Sequence, residues 1–403
     1  MKIIYITQHF PPEVGAAQGR AFDMSYNLSK IGHNVQVITS FPNHNTDFRF
    51  FKREKRENVK VLRTFRIKDT KKSSIRRLLN YFSFTFSSFL GGLFIGKTDI
   101  VYATSPQLFQ GISGFLLSRF HRAKFVFEIR DLWVDFAEIL GQFKNKKLLR
   151  LAKKLEYFLY QKADLIVVVT QGYKEKLISL GIPSNKIIVI PNGVSPDTIP
   201  ISAETFDVKK YYNIENKFLI LYTGNIGAAQ GLETIIKAAI QLKENPKFAF
   251  MFVGEGVDKP NLQHLAQKHN LTNVIFVDQL PKQKLLSYYK AADIGIVSLK
   301  DHPLFSITIP SKIFDYLSMS TPILIGVDGE ARKIVEELNG GYFFKPEDTE
   351  SFIQSLLKAQ ANEQKLIEMR KNMKDRLLIR FNRAYLAKKL SDELESLFRH
   401  SQK

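Results

Sequence analysis

The chain has 403 residues, 44% of them hydrophobic and 24% charged, which suits two to three globular domains and excludes wholesale disorder. It has no cysteine, so disulfides, thiolate catalysis, Cys-ligated zinc and iron–sulfur clusters are excluded. Lys and Arg total 59 against 39 acidic residues, and residues 1–200 alone hold 31 basic and 15 acidic side chains, +16 of the net +20. A one-sided basic field points to nucleic acid or an anionic membrane surface, with scattered solvent lysines as the plainer reading.

The opening MKIIYITQHF has no long apolar region or small-residue cleavage site, which implies no signal peptide and a cytoplasmic protein. Its run IIYIT at 3–7 predicts a strand, and Val14-Gly15-Ala16-Ala17 then leads through small residues into a helix. Further strands are predicted at 35–40 and 59–64. Residues 49–77 carry 13 Lys/Arg and three acidic residues, and an uncharged aromatic stretch follows at 78–96. Its 19 residues could span a bilayer, but a span there would break a sheet whose strands lie on either side. It reads better as a layer helix whose outer aromatic side rests, with the basic segment, on anionic lipid; a fully buried helix is the other reading.

Strands follow at 99–105, 125–130, 165–170 and 187–191. The third last of these to start, FVFEIR, ends in Arg130-Asp131-Leu132-Trp133, with the only tryptophan: either a polar site with one flat wall or a buried Arg–Asp pair. Residues 191–216, rich in Pro, Asn, Asp and Ser, read as an interdomain linker. The strand 218–223 runs into Gly224-Asn225-Ile226-Gly227-Ala228-Ala229-Gln230-Gly231 and a helix, a turn that can bring backbone N–H groups to an anion or can simply be tight. Gly254-Glu255-Gly256 ends the strand at 248–254 in the same manner. After strands at 274–277 and 294–299 comes Ile309-Pro310-Ser311-Lys312-Ile313-Phe314-Asp315. Lys312 can supply a charge to a diphosphate and Asp315, one turn on, can accept ribose hydroxyls; an ordinary helix with a solvent lysine is the alternative. A strand at 322–327 and a helical region at 352–402 close the chain.

Continuous apolar runs alternating with helices, in two tandem series, predict two doubly wound α/β domains with parallel sheets. The eight histidines lack metal-ligand spacing, and HExxH, Walker A and GxSxG motifs are absent.

Several motifs in order resemble the retaining glycosyltransferases of family 4: Gln8-x-Phe10-Pro11-Pro12-Glu13, GHNVQVIT at 32–39, TSP at 104–106, FEIRDLW at 127–133, PNGV at 191–194, GNIGAAQGL at 224–232, VGEG at 253–256 and PSKIFDY at 310–316. The WbuB-type amino-sugar transferases of surface polysaccharide synthesis are the most similar branch. The sequence departs from the broader pattern of two Glu with seven residues between them, which falls on Ile307 and Asp315. The usual Arg and Lys around the diphosphate correspond to Asn225 and Gln230, and the catalytic-region His to Arg130.

The resemblance implies the GT-B fold, two Rossmann-like domains facing across a cleft. The expected domains are 1–197 for the acceptor and membrane, 198–380 for the nucleotide-sugar donor, and a helix 381–403 packing back on the first. It implies transfer with retention of an N-acetylated amino sugar from a nucleotide-diphosphate sugar, UDP favoured, to a polyprenyl-linked acceptor, with no metal and no cofactor. Donor binding is expected from Gly224, Asn225, Gly227, Gln230, Glu255, Ser311, Lys312 and Asp315; catalysis from Arg130, Asp131 and Lys312; acceptor binding from Gly15, Ala16, Arg20 and Trp133. The protein is expected at the inner face of the membrane as a peripheral protein, without nucleic acid. A nucleotide-sugar epimerase of the same fold is the alternative activity, and a basic nucleic-acid-binding protein the alternative class.

Overall fold

Apolar β-branched runs with no polar face can bury both sides only inside a sheet covered by helices, and they pair here as parallel strands. The structure, a computed structural model, describes residues 1–13, 15–42, 49–69, 74–105, 107–141, 145–195 and 206–399. The chain forms two compact units, one of residues 1–193 with 383–403 and one of residues 194–382.

The first unit contains β1 (Lys2–Ile6), β2 (Asn34–Ser40), β3 (Phe51–Arg56), β4 (Val59–Thr64), β5 (Ile100–Thr104), β6 (Lys124–Ile129), β7 (Leu165–Val168) and β8 (Ile187–Val189). They lie in the order β3-β4-β2-β1-β5-β6-β7-β8, all parallel except β3. The second contains β9 (Phe218–Thr223), β10 (Phe248–Val253), β11 (Val274–Val277), β12 (Ile294–Ser298), β13 (Ile323–Gly326) and β14 (Gly341–Phe343). Their order is β11-β10-β9-β12-β13-β14, all parallel. Each sheet reverses its winding at its first strand, between β1 and β5 and between β9 and β12. Ligands of such folds bind at the carboxyl ends of the strands flanking that point.

The structure corrects the reading of the basic segment. Residues 51–56 are a strand, β3, paired antiparallel to β4 through a turn in which Glu57 has φ 49°. Two of the segment's arginines are buried and paired: Arg63 with Glu54 at 2.7 Å and Arg66 with Glu13 at 2.8 Å. They are therefore closed to lipid. Lys71 and Lys72, counted in the same basic run, lie outside the described residues.

The uncharged stretch forms most of the helix Ser74–Leu93. Its glycines fit it closely to its neighbours: a Cβ on Gly92 would lie 2.4 Å from Leu117 and one on Gly91 3.0 Å from Leu62. Phe84 is buried beneath the helix, whereas Phe82 and Phe86 on its outer side are 50% and 61% exposed. The fully buried reading is thus excluded. No helix among the described residues is long and apolar enough to cross a membrane.

The helix Arg383–Arg399 belongs to the first unit's core, where Leu386, Ala387, Leu390 and Leu394 join Ala21, Met24 and Leu28. Two polar contacts fix its register: Arg383 pairs with Asp23, and Ser391 Oγ lies 2.7 Å from His33 Nε2. Leu390 is fully buried, so Leu390→Ala should destabilise the first unit by about 3 kcal/mol, measured by urea unfolding followed by a probe in that unit. A loss below about 1 kcal/mol would mean that this helix is not part of the core.

Candidate active site

In the second unit the chain leaves β9 through Gly224, whose φ of +116° suits glycine alone. The turn after β10 lies directly against it. A Cβ on Gly254 would sit 1.9 Å from the Gly224 carbonyl oxygen, and one on Gly256 2.0 Å from that of Ile226. Without side chains the two turns pack backbone to backbone. Ile226 N donates to the Glu255 carbonyl at 2.8 Å, and Asp258 N to the Ile226 carbonyl at 3.0 Å. Tyr222 O–H donates to the Asn225 carbonyl at 2.6 Å, which pins the turn's outer edge.

Lys312 opens the helix Lys312–Ser318. Tyr316 anchors that helix by donating to the Leu221 carbonyl at 2.8 Å, while its ring fills the space that a side chain on Gly295 would need. This brings Lys312 to the end of β9. Its Nζ sits 3.8 Å from the centre of the Tyr222 ring and 3.8 Å from where a Gly224 Cβ would be. The ammonium is buried and has no hydrogen-bond partner among the described residues, although the residue as a whole is partly exposed. Burial lowers its pKa to about 7, with Asp315 pulling the other way. The result is a desolvated cation beside an exposed glycine turn.

Other donor-side candidates divide. Gly224 and Asn225 are exposed. The Gly227 N–H, expected to face the ligand, is instead taken by Gln230 Oε1 at 3.1 Å, so these two residues brace the turn in this state. Glu255 is paired with Lys259 at 2.7 Å, and Lys259 also meets Asp278 at 2.7 Å. Ser311 precedes the helix without capping it through its side chain. Asp315 is partly exposed and close enough to Tyr289 and Tyr316 to raise their pKa values.

In the first unit Glu128 is a carboxylate with no exposure inside an apolar strand, and Arg20 answers it. Arg20 Nε and Nη2 donate to Glu128 Oε1 at 3.0 and 2.8 Å, and its remaining reach goes to the carbonyls of Ile190 at 2.9 Å and Pro191 at 2.7 Å. Arg20, expected at the acceptor, is therefore a buried brace between the first helix and the PNGV turn. Beside it the stacked rings of Tyr5 and Tyr102, 4.7 Å apart, mark the β1–β5 reversal.

Arg130 differs from Arg20. Its backbone N–H donates to Ser105 Oγ at 2.8 Å, but its Nε is buried with no hydrogen-bond partner among the described residues, and burial lowers its pKa against the pull of Glu128. Burial pushes Asp131 up to about 6, with Arg130 opposing. Trp133 starts the helix Trp133–Ile139 and is partly exposed; Gly15 and Ala16 are exposed at the start of the helix Ala16–Lys30. Sequence reasoning missed Glu128 and Tyr222. A lone acid within FVFEIR was a usable signal for a buried ion pair; nothing in FLILYTG distinguishes the tyrosine. Among the described residues no three His, Asp or Glu side chains cluster as metal ligands would.

Two largely parallel-sheet units, each winding out from a reversal point, have the architecture of the GT-B fold, and the sequence matches make the chain a glycosyltransferase. Residues 204–376 match the family Glycosyl transferases group 1 and residues 18–198 match Glycosyltransferase Family 4, so each unit carries a glycosyltransferase family's sequence. The chain is 28% identical over 378 residues, 89% of its length and 92% of the other's, to the Escherichia coli K12 protein named as the colanic acid biosynthesis glycosyl transferase WcaI. It is 21% identical to alpha-monoglucosyldiacylglycerol synthase of Acholeplasma laidlawii, over 92% of this chain and 91% of that one. The fold matches Anabaena HepE, solved in complex with UDP-glucose, with a TM-score of 0.73 and 16% identity over 98% of this chain and 100% of that one.

An unpaired buried ammonium destabilises the free protein, and that cost depends on pH. With a folded pKa of about 7 and an ordinary unfolded value, the cost is full below pH 7 and is relieved as pH rises toward 10. Lys312→Met should therefore be more stable than wild type by on the order of 2 kcal/mol at pH 6, with the gap closing by pH 10. Paired denaturant titrations check this. A variant less stable than wild type at pH 6 would show that Lys312 holds a partner.

Proposed function

We propose that this glycosyltransferase moves an N-acetylated amino sugar from a UDP-sugar to a polyprenyl-linked acceptor, with retention, in surface polysaccharide synthesis. The observation that carries the donor half is the Lys312 ammonium, buried without a hydrogen-bond partner among the described residues beside the exposed Gly224–Asn225 backbone. A diphosphate is the ligand that such a cation lacks. The fold shared with a protein crystallised with UDP-glucose, and relatives named for polysaccharide and glycolipid synthesis, support the same reading.

On this reading Lys312 and the 224–225 backbone hold the diphosphate, Ser311 lies at its rim, and Asp315 accepts ribose hydroxyls. Glu255 stands next to the donor, oriented by Lys259. Gly227 and Gln230 keep the turn in shape. As the bond from the sugar's anomeric carbon to the diphosphate oxygen breaks, charge grows on that oxygen, and a fixed cation in a dry setting stabilises it strongly. The acceptor hydroxyl attacks from the same face and gives its proton to the departing phosphate, so the configuration is retained and no metal is required. Arg130 and Asp131 orient the reacting groups, and Gly15, Ala16 and Trp133 meet the acceptor. The chain works at the inner face of the membrane as a peripheral protein, the helix Ser74–Leu93 facing lipid with its outer aromatic side.

Binding of a nucleoside diphosphate should raise the Lys312 pKa, so calorimetry at pH 8 in buffers of differing ionisation heat should show close to one proton taken up per UDP bound. Lys312→Met should abolish both uptake and binding while remaining folded. No stabilisation by any nucleoside diphosphate would sink the reading. A panel of nucleotide sugars then identifies the donor, and NMR of the product gives the anomer. An inverted linkage, or activity lost to EDTA, would overturn the retaining, metal-independent mechanism.

A further inference from the structure

The helix Lys146–Lys162 is well started but poorly buried. Asn145 caps it, its Oδ1 accepting from the amides of Lys147 at 2.8 Å and Leu148 at 3.4 Å, yet its only buried residues are Leu159 and Tyr160 near the far end. At 3.6 residues per turn, Leu148, Leu151, Leu155 and Phe158 fall in one stripe. Leu148 is 47% exposed and Leu151 63%. Lys146, Lys147, Arg150 and Lys154 are exposed around it and form no ion pair among the described residues. Lys153, also exposed, pairs with Glu138 and, at 3.9 Å, Asp135 of the helix Trp133–Ile139. A packed helix would bury such a stripe, and a solvated one would lack it.

The stripe continues across neighbouring helices. Phe158 meets Phe115 of the helix Phe109–His121 edge-on at 5.4 Å, and the exposed Leu116 and Phe120 lie on that same helix. Phe109 of that helix meets Phe82 of the helix Ser74–Leu93 at 4.5 Å. Apolar side chains thus run from Leu151 to Phe82 and Phe86 over three adjoining helices, with Arg119 and Arg122 adding positive charge.

We propose that this face, centred on the helix Lys146–Lys162, seats the protein on an anionic bilayer. Leu148 and Leu151 enter the acyl boundary, and Lys146, Lys147, Arg150 and Lys154 lie at the level of the lipid phosphates. The proposal deepens the reading above, which rests membrane contact on the helix Ser74–Leu93 alone. Charge complementarity selects lipid over a second copy of the chain, because a two-fold pairing of this face would set its cations against each other. The same helix grips the Trp133 segment through Lys153, so the seated surface and that segment are joined directly.

The test uses the full chain and flotation with vesicles of phosphatidylcholine, with and without phosphatidylglycerol. Wild type should float with the anionic vesicles at low salt and not with phosphatidylcholine alone. Leu148→Ser/Leu151→Ser should bind about tenfold more weakly, as should Lys147→Ser/Arg150→Ser/Lys154→Ser. Both variants alter exposed side chains, and unchanged thermal unfolding and UDP-induced stabilisation confirm that fold and donor site are intact. The proposal is overturned if wild type ignores anionic vesicles, or if Leu148→Ser/Leu151→Ser binds them as wild type does. It is also overturned if that variant instead abolishes a concentration-dependent dimer seen in sedimentation. The UDP arm reads the donor site separately, so loss of nucleotide binding with vesicle binding retained would count against the proposed function and leave the docking face standing.

Discussion

Keeping the Lys312 ammonium out of water with no hydrogen-bond partner among the described residues costs on the order of 2 kcal/mol, and the local architecture follows from accommodating it. The Tyr222 ring offers its negative face to the cation, which recovers part of the lost hydration. The helix bearing the lysine can approach β9 only because Gly295 leaves room for the Tyr316 ring. The turn after β9 stays low and open because Gly254 and Gly256 let a second turn support it from beneath. One ammonium without a hydrogen-bond partner therefore ties together residues from four separate stretches of the second unit.

The first unit handles buried charge in the opposite way. Glu128 and Arg20 are both buried, but the guanidinium meets one carboxylate oxygen through two donors and takes up two carbonyls as well, and such a fully engaged guanidinium serves to fix geometry. Removing either partner would strand the other in an apolar sheet. Arg130, next along the same strand end, keeps a buried Nε without a partner. The two guanidiniums differ in that Arg20 has no donor left, whereas Arg130 does.

The sheets were legible from sequence because parallel strands buried on both faces leave unbroken apolar runs, and twelve of them are visible as such. β3 was not, since Phe51–Arg56 is an edge strand whose charged side chains hide its pairing, and β14 is a mere three residues long. The glycine turns and PSK segment stood out as chemistry-bearing ends of elements. Their meeting did not, because 88 positions separate Gly224 from Lys312 and only the strand order brings them together. The same holds for Arg20 and Glu128, 108 positions apart. The docking stripe of the helix Lys146–Lys162 has the periodicity of a core helix, and only the exposure of Leu148 and Leu151 tells the two apart.

The placement of the helix Arg383–Arg399 in the first unit bears on how the protein is made. The second unit, residues 194–382, is continuous in sequence and can close its core as soon as it clears the ribosome. The first unit emerges earlier but lacks Leu386, Leu390 and Leu394 until the segment after the second unit is translated. During most of synthesis its helix Ala16–Lys30 therefore presents an uncovered apolar side, including Met24 and Leu28. The nascent chain's exposed apolar surface thus belongs to the half made first, and a premature stop just before Arg383 would leave a complete second unit attached to an unfinished first one.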